Sequence, residues 1–231
     1  LSTEQYFSNV MLDPETAHPR LILSEDRKSV RWTDAEQDLP PTTPQRFDAS
    51  SCVLGYQGFT LGSHYWEVEV ARGRTWALGV ARRSVPRKGW IPFQPEKGIW
   101  AMGRCRSRYR AFTSPVTTLP APGETGRVRV ALDYGEGQVA FYLAEREPPV
   151  FTFQKASFGG ESVFPFFWVG REGTELCLRG GPPQPLCPPP IPTAAPSSSC
   201  PSPDTPRSPL LGPAAADAPL SPAPAQGAEG H

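Results

Sequence analysis

The stretch HYWEVEV at residues 64–70 decides the fold class, because its polar and apolar side chains alternate from one residue to the next. Its apolar face consists of Trp66, Val68 and Val70. A period of two is typical of a β-strand that packs one face on a core and exposes the other to water. The stretch therefore predicts a half-buried strand.

The same alternation recurs four more times along the chain, with glycines and prolines between the runs. Short strands separated in this way favour an antiparallel sandwich or barrel. Residues 3–7 are the one helical candidate, and residues 133–137 (DYGEG) predict a hairpin turn. We therefore predict an all-β domain whose further strands lie at 75–81, 127–133, 139–143 and 175–179.

The last part of the chain has a different composition from the rest. Sixteen of the 30 prolines lie in residues 180–231, which contain no aromatic residue and four charged ones. Such a segment cannot bury enough apolar surface to offset the entropy of ordering its backbone. We predict a disordered Pro-rich tail at 181–231. It is either a passive extension or, through the polyproline stretch 188–192, a ligand for SH3 or WW domains.

Charge and cysteine content exclude several classes of function. The net charge of zero is too balanced for a domain that binds nucleic-acid phosphates. No apolar run approaches the length of a membrane span, and the first residues lack the features of a signal peptide. Five cysteines without C-x-x-C spacing predict reduced thiols, a cytoplasmic location and no bound zinc. Because the chain does not begin with Met, we expect it to be the C-terminal piece of a longer protein.

A series of motifs, in order, resembles one known family. Residues 12–26 (LDPETAHP, then LILSED) resemble the opening of a PRY segment, and RF, CVLG and GSHYWEVEV within residues 46–70 resemble the start of a SPRY segment. The match continues through WALGVA (76–81), RKGW (87–90), LDY (132–134), VAFY (139–142) and FPFF (164–167). Over residues 9–180 the chain is therefore similar to the B30.2 (PRY–SPRY) domain of tripartite-motif (TRIM) ubiquitin ligases and butyrophilins. The segments expected from this resemblance are the end of an upstream linker or helix (1–8), PRY and the start of SPRY (9–60), and SPRY (61–180).

The resemblance implies a bent antiparallel sandwich of two sheets, with an SPRY-like jelly-roll topology, that recognises other proteins through loops at one edge. It implies no catalysis and no cofactor in this chain. In a TRIM ligase such a domain selects the substrate, while separate RING and B-box domains bind zinc and recruit the ubiquitin-charged enzyme. The alternative context is the cytosolic domain of a butyrophilin-like receptor.

Two activities of relatives are not expected from the residues present. The positions that correspond to the acidic and tryptophan residues of antibody-binding relatives hold Ala77, Gly103 and Cys105. The basic pocket of phosphoantigen-binding butyrophilins is matched at Arg110, while its other positions hold Ser50, Ala77, Pro92 and Val116. The resemblance therefore disfavours both an antibody Fc ligand and a phosphate ligand.

The residues also offer no convincing catalytic site. A nucleophilic site needs a base that a third group holds within hydrogen-bond reach of the nucleophile. His64 is the one plausible base, and it is better explained as a strand residue. We interpret His18 as a structural turn residue and Asp133 as the cap of a hairpin turn.

The segment 104–112 is the main candidate for partner binding. Its arginines recur with a period of two, so in an extended segment four guanidinium groups project from one side, followed by an aromatic ring. The planar fork of arginine suits acidic side chains or a terminal carboxylate. For each arginine alone, the alternative is a position on a solvated outer strand. The resemblance favours Arg108 and Arg110 as binding residues. The predicted binding residues here are Arg104, Arg106, Arg108, Arg110 and Phe112.

Three consecutive aromatic residues before a glycine-containing turn complete the predicted binding set. Alternation places two of Phe166, Phe167 and Trp168 in the core. We expect the third, Phe167 or Trp168, to line the partner pocket, because exposed aromatic residues are frequent hot spots. Arg171 in the following turn is the last predicted binding residue.

Overall fold

The computed structural model of the chain describes residues 5–35, 38, 40–120, 126–171 and 173–181. Within these residues it has no α-helix, one 3₁₀ turn at Pro95–Lys97, and fourteen β-strands. The strands are β1 Tyr6–Phe7, β2 Leu21–Leu23, β3 Ser29–Trp32, β4 Cys52–Leu54, β5 Ser63–Arg72, β6 Thr75–Arg82, β7 Ile99–Cys105, β8 Arg108–Ala111, β9 Thr117–Leu119, β10 Arg127–Asp133, β11 Gln138–Leu143, β12 Phe151–Phe153, β13 Val163–Val169 and β14 Glu175–Leu178. The predicted all-β class is confirmed.

The strands form two sheets. The first sheet has eight strands, in the order β12-β11-β10-β5-β14-β3-β2, with β1 paired to β5. The second sheet has six strands, in the order β4-β13-β6-β7-β8-β9. Every pair is antiparallel except β1–β5. Because sequence neighbours are often not sheet neighbours, residues far apart in the chain come together on each face.

The main core lies between the two sheets. The apolar faces predicted from alternation supply it: Trp66 and Val68 of β5 are at most 1% exposed, and the alternate residues of β10 and β11 are also buried. The predicted hairpin connects β10 to β11, where Asp133 Oδ1 accepts the Glu136 N–H at 2.9 Å. The strands predicted from the period of two are therefore confirmed.

A second apolar cluster covers part of the outer face of the second sheet. Its members come from β4, β6, β7 and β13, together with Phe47, Val85 and Ile91 from the connections. As a result β6 is buried on both faces, with Ala81 on the outer face as inaccessible as Trp76 on the inner one. The sequence predicted a single buried face at residues 75–81, because alternation does not show that a loop covers the other face.

The prediction of a helix at residues 3–7 is wrong for Tyr6 and Phe7, because these two residues form β1 and pair with the start of β5. Edge-on contact between the rings of Phe7 and Tyr65, 5.6 Å apart, favours this extended conformation. The predicted tail lies outside the described residues from position 182 onward, including the polyproline stretch 188–192. In the part of the chain that is described, no helix is long and apolar enough to cross a membrane.

Candidate protein-binding site

A cavity of about 520 Å³ opens on the outer face of the second sheet, beside the second apolar cluster. We call it the β7–β8 pocket. Most of its lining is apolar, and Arg110 is the one charged residue among the described residues that line it. The apolar side chains include Trp90, Ile91, Phe93, Phe112, Val116 and Trp168.

The pairing of four strands explains why a depression forms here. Along one row of the sheet, Trp168 pairs with Ala77, Ala77 with Gly103, and Gly103 with Arg110. Two small residues thus lie between two large ones on the same face, since paired residues share a face of a sheet. The segment between β6 and β7 closes the other side, where the Phe93 ring packs edge-on against Trp168 at 5.7 Å.

Arg110 is half-buried in the pocket wall. Its side chain makes no hydrogen bond, ion pair or ring contact with any other residue that the structure describes. Arg108, two residues earlier on the same face of β8, is exposed, and its guanidinium also has no partner among the described residues. The pocket therefore combines aromatic walls with an uncompensated positive charge.

The predicted row of four arginines on one side is wrong, because the segment 104–112 is a hairpin. Arg106 and Ser107 form a two-residue turn, and Cys105 pairs with Arg108. A two-residue turn places even-numbered residues of one strand opposite odd-numbered residues of the other. Arg104 consequently lies on the other face, with its guanidinium 5.3 Å from the Tyr109 ring centre and its Nε donating to the Arg106 carbonyl at 2.9 Å.

The remaining predicted residues separate into three locations. Phe112 and Trp168 line the β7–β8 pocket. Phe167 is 1% exposed and belongs to the core between the sheets, so the expectation that it lines a pocket is wrong. Arg171 lies over the Trp32 ring at 4.8 Å, beside the first sheet.

Family models match two adjoining ranges of the chain. The PRY model, described as a SPRY-associated domain, matches residues 10–59, and the SPRY domain model matches residues 63–180. The chain belongs to the B30.2 (PRY–SPRY) family. B30.2 domains are protein-interaction modules found in TRIM proteins and butyrophilins.

Curated relatives come from both groups. Butyrophilin subfamily 1 member A1 from Bos taurus is 46% identical over 172 residues, which are 73% of this chain and 32% of the relative. The E3 ubiquitin-protein ligase TRIM15 from Sus scrofa is 48% identical over 173 residues, 74% of this chain and 37% of the relative. The chain thus spans about a third of the length of these relatives.

Solved structures confirm the sandwich fold. The crystal structure of the TRIM65 PSpry domain matches with a TM-score of 0.65 at 26% identity, and the match covers 76% of this chain and 91% of that one. Stonustoxin matches with the same TM-score at 25% identity, over 75% of this chain and 27% of the toxin chain. The predicted bent two-sheet sandwich of the SPRY type is therefore correct.

In this B30.2 domain, the sequence did not predict the aromatic residues that the connection between β6 and β7 contributes to the pocket. Trp90 is 79% exposed, although tryptophan has the largest side chain. Phe93 forms part of the pocket wall and packs against Trp168. The available signal was an aromatic residue at each end of the short run WIPF, next to a glycine and a proline. Loop residues of this kind follow no period, so alternation cannot assign them a face.

The two histidines of the folded domain are held by structural contacts. His64 lies between the Ser8 hydroxyl, 3.3 Å from Nδ1, and the Leu61 carbonyl, 2.8 Å from Nε2. His18 Nδ1 accepts the Arg20 N–H at 3.1 Å. In neither of these hydrogen-bonding arrangements is the imidazole bonded to a carboxylate, which is the group that orients the base of a catalytic triad. In the described residues no group of three or more His, Cys, Asp or Glu side chains is arranged to hold a metal ion.

Stability should depend on pH through His18, because burial lowers the pKa of its imidazole below the ordinary 6.5. The Arg171 and Arg20 charges act in the same direction, while the Asp48 backbone and carboxylate oppose them. The unfolded chain therefore binds a proton at His18 more readily than the folded chain does. The contribution of the neutral imidazole to the stability of the folded state is complete above pH 6.5, and it is lost as pH falls toward the lowered pKa.

The measurement is the free energy of unfolding at about pH 7.5 and about pH 5.5, for the wild type and for His18→Gln. The wild type should lose more stability than the variant on acidification. Equal losses would show that His18 does not cause the pH dependence.

Proposed function

We propose that this B30.2 domain captures a protein ligand in the β7–β8 pocket, and that it is the substrate-recognition domain of a TRIM-type E3 ubiquitin ligase. The observation that carries the proposal is the exposure of Trp90 at the rim of an apolar cavity. A large exposed aromatic side chain beside a concave apolar surface is typical of an interface that a partner covers.

The ligase context is supported by the 48% identity to the E3 ubiquitin-protein ligase TRIM15 from Sus scrofa. In that context the domain lies in the cytoplasm and other domains carry the catalytic and zinc-binding parts. The cysteines among the described residues, Cys52, Cys105 and Cys177, are free thiols, as expected in a reducing compartment.

A second candidate is the cytosolic domain of a butyrophilin-like receptor. The 46% identity to butyrophilin subfamily 1 member A1 from Bos taurus supports it. Both candidates use the same pocket and differ in what happens to the captured protein. In the first the partner is ubiquitinated, and in the second it is not.

Trp90→Ala is expected to weaken capture of the partner about 30-fold, because a central aromatic anchor contributes about 2 kcal/mol to an interface. Folding should be unaffected, because the side chain is exposed. The matched control is Tyr56→Ala, which removes an aromatic side chain that is 70% exposed and lies outside the pocket lining.

Partners are first identified by proximity labelling with the full-length protein, and their affinity for the purified wild type and both variants is then measured by calorimetry. Loss of affinity in Trp90→Ala alone supports the pocket, whereas equal affinities of all three proteins would contradict it. Ubiquitination of the partner that disappears with Trp90→Ala supports the ligase. A bound partner that is never ubiquitinated supports the receptor.

A further inference from the structure

We infer that the β7–β8 pocket binds an extended segment of a partner protein in which a large apolar side chain lies next to acidic side chains. This inference rests on the proposed function and specifies the chemistry of the ligand. It follows from the walls of the pocket, from the charge inside it and from the arginines beyond it.

The walls select the apolar part of the ligand. The rings of Phe93, Phe112 and Trp168 surround the cavity, and Phe93 packs edge-on against Phe112 at 5.5 Å. A volume of about 520 Å³ lies in the range of pockets that bury most of a ligand's surface. The cavity therefore accepts a Leu, Ile, Phe or Trp side chain together with part of its backbone.

Arg110 selects the acidic part. A purely apolar ligand would remove water from this half-buried guanidinium and give it no partner, which costs free energy. In the part of the chain that the structure describes, no Asp or Glu lines the pocket to compensate the charge. A carboxylate beside the apolar side chain resolves the conflict, because it accepts two parallel hydrogen bonds from one guanidinium.

A single positive charge in an aromatic pocket also disfavours a phosphate-rich ligand. Ser50, Pro92 and Val116 line the pocket alongside Arg110, and none of them is cationic. A ligand with several closely spaced phosphate charges would leave most of them uncompensated in an apolar cavity. One carboxylate per apolar side chain matches the charge that is present.

The arginines beyond the pocket favour an internal segment over a chain terminus. Arg108 shares the pocket face of β8, and Arg106 lies in the adjoining turn; both side chains are exposed, and neither guanidinium has a partner among the described residues. A terminal carboxylate on Arg110 would end the ligand there and leave both of these cations without a partner. A chain that continues along the hairpin with further Asp or Glu residues uses them.

The test begins with a random-peptide library, displayed internally so that no free C-terminus is presented, and selected on the immobilised full chain. Enriched peptides are synthesised, and their affinities for the wild type, Arg110→Gln and Arg31→Gln are measured by fluorescence polarisation. Arg31 is an exposed arginine of the first sheet and serves as the matched control. Trp90→Ala is measured in parallel.

We expect the enriched peptides to share an Asp or Glu within two positions of a large apolar residue. Arg110→Gln should weaken their binding about 10- to 100-fold, because hydrogen bonds between charged groups are among the strong ones. Arg31→Gln should leave it unchanged. Replacing the peptide's acid by its amide should weaken binding to the wild type by a similar factor and have little further effect on Arg110→Gln.

Other results overturn the inference, and they separate its failure from that of the proposed function. Enriched peptides that need Trp90 but contain no acidic residue would leave the pocket as the binding site and refute the acidic ligand. Peptides that bind Trp90→Ala and Arg110→Gln as tightly as the wild type would refute both the acidic ligand and the proposed binding function of the pocket. Enrichment only from a parallel library with free C-termini would refute the internal segment.

Discussion

Arg46→Met is expected to lower the free energy of unfolding by about 3 kcal/mol, because it removes the donor from one buried and two partly buried backbone carbonyl groups. Arg46 is only 6% exposed. Its Nη1 donates to the carbonyl oxygens of Pro14 and Ala17, both at 2.8 Å, and its Nε donates to that of Pro41 at 3.1 Å. One guanidinium thus joins the turn at residues 14–17 to the segment around Pro41 within the PRY segment.

The consequence of this substitution extends to the binding site. Lys88, in the connection that forms the pocket wall, donates from Nζ to the Arg46 carbonyl at 2.8 Å and to the Thr43 carbonyl at 2.7 Å. Arg87 donates from Nη1 to the Gln45 carbonyl at 2.8 Å. The PRY segment therefore holds the β6–β7 connection in place, and a loosened Arg46 should also weaken partner capture.

Chemical denaturation measures the stability change, with Arg31→Met as the control because Arg31 is exposed. Arg46→Lys should give an intermediate loss, since an ammonium group retains the charge but cannot reproduce the three directed bonds. A loss below about 1 kcal/mol in Arg46→Met would show that water replaces the guanidinium and would contradict this account.

Phe93→Ala is expected to reduce both stability and partner binding, with a loss of about 2 kcal/mol in the free energy of unfolding. The Phe93 ring packs edge-on against Phe112, Phe166 and Trp168 at centre distances of 5.5, 5.3 and 5.7 Å. It is therefore a wall of the pocket and also a cover for the second apolar cluster.

A matched control separates the two effects of Phe93→Ala. Phe151 is also partly buried and packs edge-on against Phe153 at 4.8 Å, but it lies at the edge of the first sheet. Phe151→Ala should cost a comparable amount of stability and leave partner affinity unchanged, as measured by denaturation and calorimetry. Binding losses of the same size in both variants would mean that stability alone controls capture.

The sequence predicts those strands whose pattern is set by one buried face. In β5 the core is the dominant influence, and alternation alone identifies Trp66 and Val68 as buried. In β6 the same pattern is incomplete, because Ala81, on the face opposite the main core, packs in the second apolar cluster with residues that are distant in the chain. The sequence around a small residue does not show which other part of the chain packs over it.

The candidate site was predicted only in part, for identifiable physical reasons. The arginine pattern at 104–110 continues through a turn that contains no glycine, proline, asparagine or aspartate, so the reversal of the chain is not visible in the sequence. Trp90 lies in a connection without periodicity. It follows Gly89 and precedes Ile91, a member of the second apolar cluster, whose residues come from strands and connections that are distant in the chain.

The most direct test of the central claim, that ligands bind on the outer face of the second sheet, is a nuclear magnetic resonance titration of the ¹⁵N-labelled domain with a peptide selected on it. The account predicts that the backbone amide signals of Gly103, Arg110, Phe112 and Val116 shift together on addition of peptide, while the outer face of the first sheet is unaffected. Shifts confined to β5, β10 and β11 would contradict it.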